Sequence, residues 1–371
     1  MKLAFCLFNY FPFGGLQRDF LRIAKECIRR GHTIDVYTMK WEGELDPSFS
    51  VNVIPVNGWQ NHTRCQNFVK QFAKISANKQ YDLIIGFNKM PGLDVYYAAD
   101  TCYQAKAKEQ RSWWNRLTPR YHHLINYETA VFGKNSHTEI LLIAKKQQHE
   151  FQKYYQTPTE RFHLLPPGIS KDRIAPANAN EIRKKVRAEW KLSEDDFLLL
   201  MVGSGFKTKG LDRAIEGVAA LPAEIRHRTH LVIIGQDNAD IFKRQALQLG
   251  LSDQLKFLGG RLDVPQFLLA ADLLLHPAYN ENTGTVLLEA LVSGLPVLTT
   301  DVCGYAEYIQ LAEAGIVIPS PYQQTAFNQA LANMLLSPER ARFQQNGLVF
   351  AKSADIYSMT ERAVDLLEAL G

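Results

Sequence analysis

Short apolar runs alternate with amphipathic stretches along the whole chain, the pattern of βα units wound around parallel sheets. In the first part, runs at Lys2–Phe8, Thr33–Thr38, Val51–Val56, Leu83–Phe87, Val95–Ala98 and Ile140–Ile143 predict strands. The pattern pauses at Pro166-Pro167-Gly168 and a polar stretch holding Lys171, Asp172 and Arg173, then restarts. Strands are expected at Phe197–Val202, Thr229–Ile234, Leu255–Phe257, Leu273–His276, Val297–Thr299 and Ile316–Ile318, with helices between them, among them Leu211–Val218 and Thr285–Leu295. The reading is an α/β chain of two Rossmann-like, doubly wound domains facing a cleft, residues 1–166 and 167–355, with a helix over 356–371 returning to the first. A length of 371 residues suits two cores better than one. Ligands of such sheets sit beyond the carboxyl ends of the strands.

Composition narrows the class. Hydrophobic residues at 46% and charged residues at 22% are ordinary for a globular enzyme. No apolar run approaches the roughly 18 residues of a membrane-spanning helix. The opening Met1–Phe8 run leads into Phe11-Pro12-Phe13-Gly14-Gly15 without a small-residue cleavage signature, so it reads as a buried strand. Five cysteines without C-x-x-C spacing suggest neither a disulfide framework nor a zinc site, and point to a reducing cytoplasm.

The chemistry is expected around Glu281 and Glu289, two acids with Asn-Thr-Gly-Thr-Val-Leu-Leu between them. Glu289 lies inside Val286–Val292, apolar on nearly every helical face, where an ionised carboxylate needs hydrogen bonds. The Thr283-Gly284-Thr285 turn would start the helix with free N–H groups and favour an anion such as phosphate. Acids on both sides of a phosphate seat suit a nucleotide-sugar, with ribose at one end and hexose at the other.

Two glycine turns offer further phosphate contacts. Gly14-Gly15 follows the first strand, but the G-x-G-x-x-G dinucleotide pattern is absent even though Asp35 stands at a suitable distance to mimic its acid. The second turn, Gly203-Ser204-Gly205-Phe206-Lys207-Thr208-Lys209-Gly210, does not meet the P-loop order. It does carry Lys209 at a strand end, and Arg173 is available from the linker; two such cations could stabilise a departing diphosphate. Lys207 reads as a solvated surface lysine. No D-x-D pair or His/Asp/Glu cluster has metal-ligand spacing, so no metal or other cofactor is expected. Asp272 reads as structural and His276 as a satisfied core histidine.

The net charge of +4 is concentrated. From Tyr103 to Tyr127, Lys106, Lys108, Arg111, Arg116 and Arg120 stand against one acid, Glu109, interleaved with Trp113, Trp114, Tyr121 and Tyr127. Leu117, Tyr121, Leu124 and Ile125 recur at helical spacing around a break at Thr118-Pro119. Segment 103–132 is expected to lie on an anionic membrane surface. A domain insertion without a ligand is the plain alternative, and nucleic acid suits the aliphatic stripe less well than lipid.

Taken in order, Gly14-Gly15, Pro167-Gly168-Ile169, Gly203 to Lys209-Gly210, Ala271-Asp272 through Pro277, the Glu281/Glu289 pair and Gly294-Leu295-Pro296-Val297 resemble the retaining nucleotide-sugar glycosyltransferases of the GT-B fold, family 4. The likeness spans the chain. Tyr10 to Asp19 and Gly86 to Val95 resemble in particular the lipopolysaccharide-core glucosyltransferases, which implies a peripheral enzyme on the cytoplasmic face of a bacterial inner membrane. The implied reaction moves a hexose, glucose first, from a UDP-sugar to inner-core heptose with retention and without metal. Beside other core-assembly enzymes, the implied partners are the UDP-sugar, the lipopolysaccharide acceptor and the membrane.

The resemblance implies that Glu289 holds the ribose and Glu281 the hexose, with Thr283 beside it. Backbone N–H groups of Gly15, Gly284 and Thr285, behind Gly14, would meet the diphosphate with Lys209 and Arg173. Arg261 would border the uracil, and Asp19 and Asp100 the donor sugar or acceptor. Three positions depart from the family: Ser204 stands where Arg is usual, Pro167 where Asn is usual, and Asp100 where many members have His. Asn282-Thr283 also leaves a UDP-N-acetylhexosamine donor open. A GT-B-like epimerase and a non-catalytic sugar-nucleotide sensor are the competing functions.

Overall fold

The computed structural model describes residues 1–12, 14–110 and 113–371, with Glu109, Gln110 and Asn115 described by backbone alone. The chain divides into two compact units, Met1–Gly168 with Tyr357–Gly371, and Ile169–Ile356.

The first unit is built on a seven-stranded sheet in the spatial order Ser50–Val53, Thr33–Thr38, Lys2–Cys6, Leu83–Gly86, Val95–Ala98, Glu139–Leu142, Phe162–Leu164. All neighbours are parallel. Leu3–Cys6 and Val95–Ala98 are wholly buried, as expected of central strands covered by helices on both faces. Helix Gly15–Arg29 turns Phe20, Ile23, Ala24 and Cys27 inward at helical spacing. The last helix, Met359–Leu370, adds Met359, Ala363, Val364 and Leu367 to the same core as Phe5 and Phe20. At its polar edge Arg30 meets Asp365 at 2.7 Å and Glu368 at 3.0 Å.

The second unit has six parallel strands in the order Leu255–Phe257, Thr229–Ile234, Phe197–Val202, Leu273–His276, Val297–Thr300, Gly315–Ile318. Asp272 is structural, as expected: its carboxylate accepts from Arg183 at 2.6 Å, Arg187 at 3.0 Å and the Leu198 N–H at 2.8 Å, pinning helix Ala179–Glu189 to the sheet.

Several boundaries differ from expectation. The helix predicted over Thr285–Leu295 stops at Val292, because Gly294 turns left-handed at φ +72° and the Leu295 N–H bonds back to the Ala290 carbonyl at 2.8 Å. The strands predicted to Phe8 and Val56 end at Cys6 and Val53. Phe162–Leu164 at the sheet edge, and the two-residue strands Asn9–Tyr10 and Lys40–Trp41, were not expected.

Candidate functional site

In the second unit the site grows from three consecutive features at the carboxyl ends of strands. Strand Phe197–Val202 runs into Gly203 at φ +133°, whose backbone lies against the Lys209 stem: a Cβ there would stand 3.3 Å from Lys209 Cε. Gly210, at φ +78°, is packed so tightly on the Pro277 carbonyl that no side chain fits. The turn therefore aims Lys209 toward the loop after strand Leu273–His276. There its ammonium is ion-paired with Glu281 Oε2. Glu281 is held in turn by a parallel bridge between its backbone and that of Cys303.

His276 ends the same strand, fully buried, with Nε2 3.3 Å from Glu281 Oε2. Its Nδ1 has no hydrogen-bond partner among the described residues, so it is not the satisfied core histidine that its apolar neighbours suggested. Burial first, and the Lys209 charge second, push its pKa down to about 3, so the ring is neutral at physiological pH. Burial likewise lowers the pKa of Lys209 from the ordinary lysine value. Cys303 works in the opposite sense.

Three residues on, Gly284 takes φ +80° and caps helix Thr285–Val292. Its backbone lies beside Glu281, where a Cβ would stand in ordinary contact with Glu281 Cγ at 3.4 Å. The Thr283 carbonyl accepts from the Tyr305 N–H at 2.7 Å, fixing the turn. The first helical turn presents N–H groups that the helix itself does not use. Glu289, 8% exposed, sits on this helix among wholly buried neighbours, as the apolar pattern required. Lys209, Glu281, Thr283, Gly284 and Thr285 thus converge, with Glu289 on the helix they begin.

Other expected residues lie differently. Arg173 closes a single 3-10 turn, Lys171–Arg173, and its Nε pairs with Asp172 at 3.7 Å. Arg261 is forked onto Asp263 at 2.7 and 2.6 Å, over the Phe267 ring, in the loop after strand Leu255–Phe257. Ser204, where the family usually has Arg, accepts from the Gln236 N–H at 3.0 Å. Lys207 is an exposed lysine paired with Asp212, as its reading had it.

In the first unit, Gly14 caps helix Gly15–Arg29 in an extended conformation, one turn from Asp19, which accepts the Tyr97 hydroxyl at 2.9 Å. Asp100 is exposed just beyond strand Val95–Ala98. Asp35 is engaged by Tyr81 at 2.6 Å and Lys79 at 3.1 Å, a structural use rather than a ribose grip.

Among the described residues the basic segment comprises helix Tyr103–Gln110, a 3-10 turn Trp113–Leu117 and, after the expected break at Thr118-Pro119, helix Pro119–Phe132, which Thr118 caps by accepting the Tyr121 N–H at 3.2 Å. Arg111 lies outside the described residues. Trp113 and Trp114 stack at 3.6 Å and are exposed, as are Leu117, Lys108 and Arg120. Lys106, Arg116, Tyr121, Leu124 and Ile125 are half-buried, so the outward aliphatic stripe is narrower than the spacing suggested. Trp59, fully exposed, was missed. It precedes His62, whose ring lies 5.9 Å from that of His123 in helix Pro119–Phe132. A signal was present: no acid occurs between Asp46 and Asp82, while Arg64, Lys70, Lys74 and Lys79 do.

Residues 182–349 match the family described as Glycosyl transferases group 1. The chain is 45% identical over 368 residues to the lipopolysaccharide glucosyltransferase WaaG of Escherichia coli (strain K12), covering 99% of this chain and 98% of the relative. It is 23% identical over 401 residues to a D-inositol 3-phosphate glycosyltransferase of Stackebrandtia nassauensis, covering 96% and 86%. Among solved structures, the crystal structure of WaaG superposes with a TM-score of 0.93 at 45% identity over 98% of this chain and 99% of that one. HepE of Anabaena, in complex with UDP-glucose, superposes with a TM-score of 0.75 at 19% identity over 100% of both chains, a likeness of fold.

Proposed function

The chain belongs to the group 1 glycosyl transferases, with the two Rossmann-like domains of the GT-B fold, and from that membership we propose that it transfers glucose from UDP-glucose to an inner-core heptose of lipopolysaccharide with retention of configuration. The observation that carries this reading is the Lys209–Glu281 pair set against the Gly284 helix start. One cation, one hydroxyl-binding acid and one anion-binding turn meet there, as a sugar diphosphate requires. The 45% identity to a lipopolysaccharide glucosyltransferase supports the choice of sugar and acceptor.

In this reading Glu289 grips the ribose and Glu281 the hexose, with Thr283 beside it. N–H groups of Gly284 and Thr285 receive the diphosphate, and Lys209 neutralises it as it leaves. Arg261 borders the uracil once it is drawn from Asp263. The bond from the sugar's anomeric carbon to the diphosphate breaks, and the acceptor oxygen bonds to that carbon on the same face. The acceptor's proton passes to the leaving phosphate, so no carboxylate nucleophile and no metal are needed. Arg173 lends a second positive charge to the leaving group. In the first unit, Gly14 and Gly15 contribute a backbone anion contact, and Asp19 and Asp100 serve the sugar and acceptor. Transfer assays with UDP-glucose and UDP-N-acetylglucosamine, each with chelator, against lipopolysaccharide truncated to its inner core test the assignment. Turnover of UDP-glucose in chelator is expected; dependence on added divalent metal would contradict it.

The acceptor is a lipid, and the exposed Trp113, Trp114 and Leu117 beside Lys108 and Arg120 suit an anionic membrane surface. The location that follows is peripheral, at the cytoplasmic face of the inner membrane; no helix among the described residues is long and apolar enough to cross it. Vesicle co-sedimentation is expected to favour anionic over neutral lipid, and to fall in Trp113→Ala/Trp114→Ala and, less steeply, in Trp59→Ala. Equal partition into both lipids would sink the electrostatic reading.

A further inference from the structure

His276 has no part in the transfer chemistry described above, yet it is buried and fixed at the end of an interior strand. It ends an interior strand in register with Thr299, whose hydroxyl donates to the His276 carbonyl at 3.0 Å. The Ala278 N–H bonds to the same carbonyl at 2.8 Å. The side chain is 0% exposed, so it cannot exchange one partner for water. One ring nitrogen, Nε2, faces Glu281 Oε2 at 3.3 Å; the other, Nδ1, faces no partner among the described residues.

Those two facts select a tautomer. A buried N–H without an acceptor loses its hydration with nothing in return, and the alternative is a bare lone pair at Nδ1 with the proton on Nε2, where a carboxylate can accept it. The depressed basicity of the ring agrees, since it keeps the imidazole from taking a second proton.

We infer that His276 is a positioning residue: as a fixed neutral Nε2–H donor it holds the Glu281 carboxylate in place for the donor hexose when the incoming diphosphate draws Lys209 away. The inference rests on the assignment of Glu281 to the hexose. Lys209 is ion-paired with Glu281, and a diphosphate competes for that same ammonium. Glu281 is largely buried, at 13% side-chain exposure, so a carboxylate abandoned by its cation there would turn or take a proton. A donor that carries no charge of its own, and that a strand end prevents from moving, retains the acid without competing with the diphosphate for Lys209.

The test compares His276→Leu, which removes the donor, with His276→Gln, whose amide nitrogen reaches the Nε2 position. His276→Leu is expected to lower kcat/KM for the UDP-sugar about ten- to a hundredfold, while UDP, which lacks the hexose, binds as to the wild type. His276→Gln is expected to recover most of the loss. In the unaltered protein, ¹⁵N NMR of the histidine ring is expected to show a bare Nδ1 and a protonated Nε2 from about pH 5 to 8. An Nδ1–H tautomer or an imidazolium in that range would overturn the inference without any variant having to fold. Wild-type kinetics in His276→Leu, or equal loss in the Leu and Gln variants, would overturn it while activity loss in Glu281→Gln left the hexose site standing. Wild-type kinetics in Glu281→Gln would overturn both.

Discussion

Lys209→Ala is expected to lower turnover about 10²–10³-fold, the usual cost of removing one preorganised charge from a developing anion. The donor KM should change far less, because the charge on the leaving diphosphate grows only as the bond breaks. Lys209 is placed for this by its surroundings. Gly203 and Gly210 adopt left-handed conformations that let the turn pack on the lysine stem and on the Pro277 carbonyl. Burial strips the ammonium of water and so strengthens its field. Lys209→Arg should rescue poorly, since the broader guanidinium must fit where the Gly203 backbone closes on the stem. Single-turnover kinetics on purified enzyme, with donor saturating, separates the two parameters. Unchanged turnover in Lys209→Ala would remove this residue from the chemistry.

The second large effect lies in the first unit and is one of stability. Glu128 is fully buried on helix Pro119–Phe132 and ion-paired with Lys89. It also accepts from the Tyr155 hydroxyl at 2.6 Å and from the Tyr103 and Gln104 N–H groups at 2.9 and 3.0 Å, which open the basic segment. Burial works to raise its pKa, but the Lys89 charge and these hydrogen bonds outweigh it and leave the carboxyl below its ordinary value. Glu128→Ala abandons a buried ammonium and is expected to cost about 3–5 kcal/mol. Glu128→Leu combined with Lys89→Met should cost less than Glu128→Ala alone, because no charge is then left unpaired. The sign of the pH effect follows from the lowered pKa. The carboxylate's contribution is present above the ordinary value of 4.5 and is lost as pH falls through the folded-state value. Thermal unfolding of the wild type and both variants at neutral and acid pH measures all three expectations. A Glu128→Ala protein as stable as the wild type would mean that water reaches Lys89.

The sheets were legible because each central strand is a continuous apolar run, such as Leu198 to Met201, buried on both faces. Asn9–Tyr10 and Lys40–Trp41 escaped notice because two residues carry no periodicity. Phe162–Leu164 is short and half-exposed, so its pairing owes more to its neighbour than to its own pattern. The Glu281 and Glu289 pair could be read from spacing and from the apolar helix around one of them, but contacts that depend on turn geometry could not. The contact of Arg173 with Asp172, made by the one-turn helix that Arg173 closes, is one of these. His276 was hidden by Leu273-Leu274-Leu275, which make any following residue look like core. Its position at the carboxyl end of a strand, five residues before Glu281, was the cue that distinguished it.

The most direct measurement follows glucose from UDP-α-glucose onto heptose-terminated lipopolysaccharide and reads the product's anomeric configuration by NMR. An α-linked glucose on heptose, formed in the presence of chelator, is the expected result; a β-linked product, or no transfer from UDP-glucose to that acceptor, would contradict it.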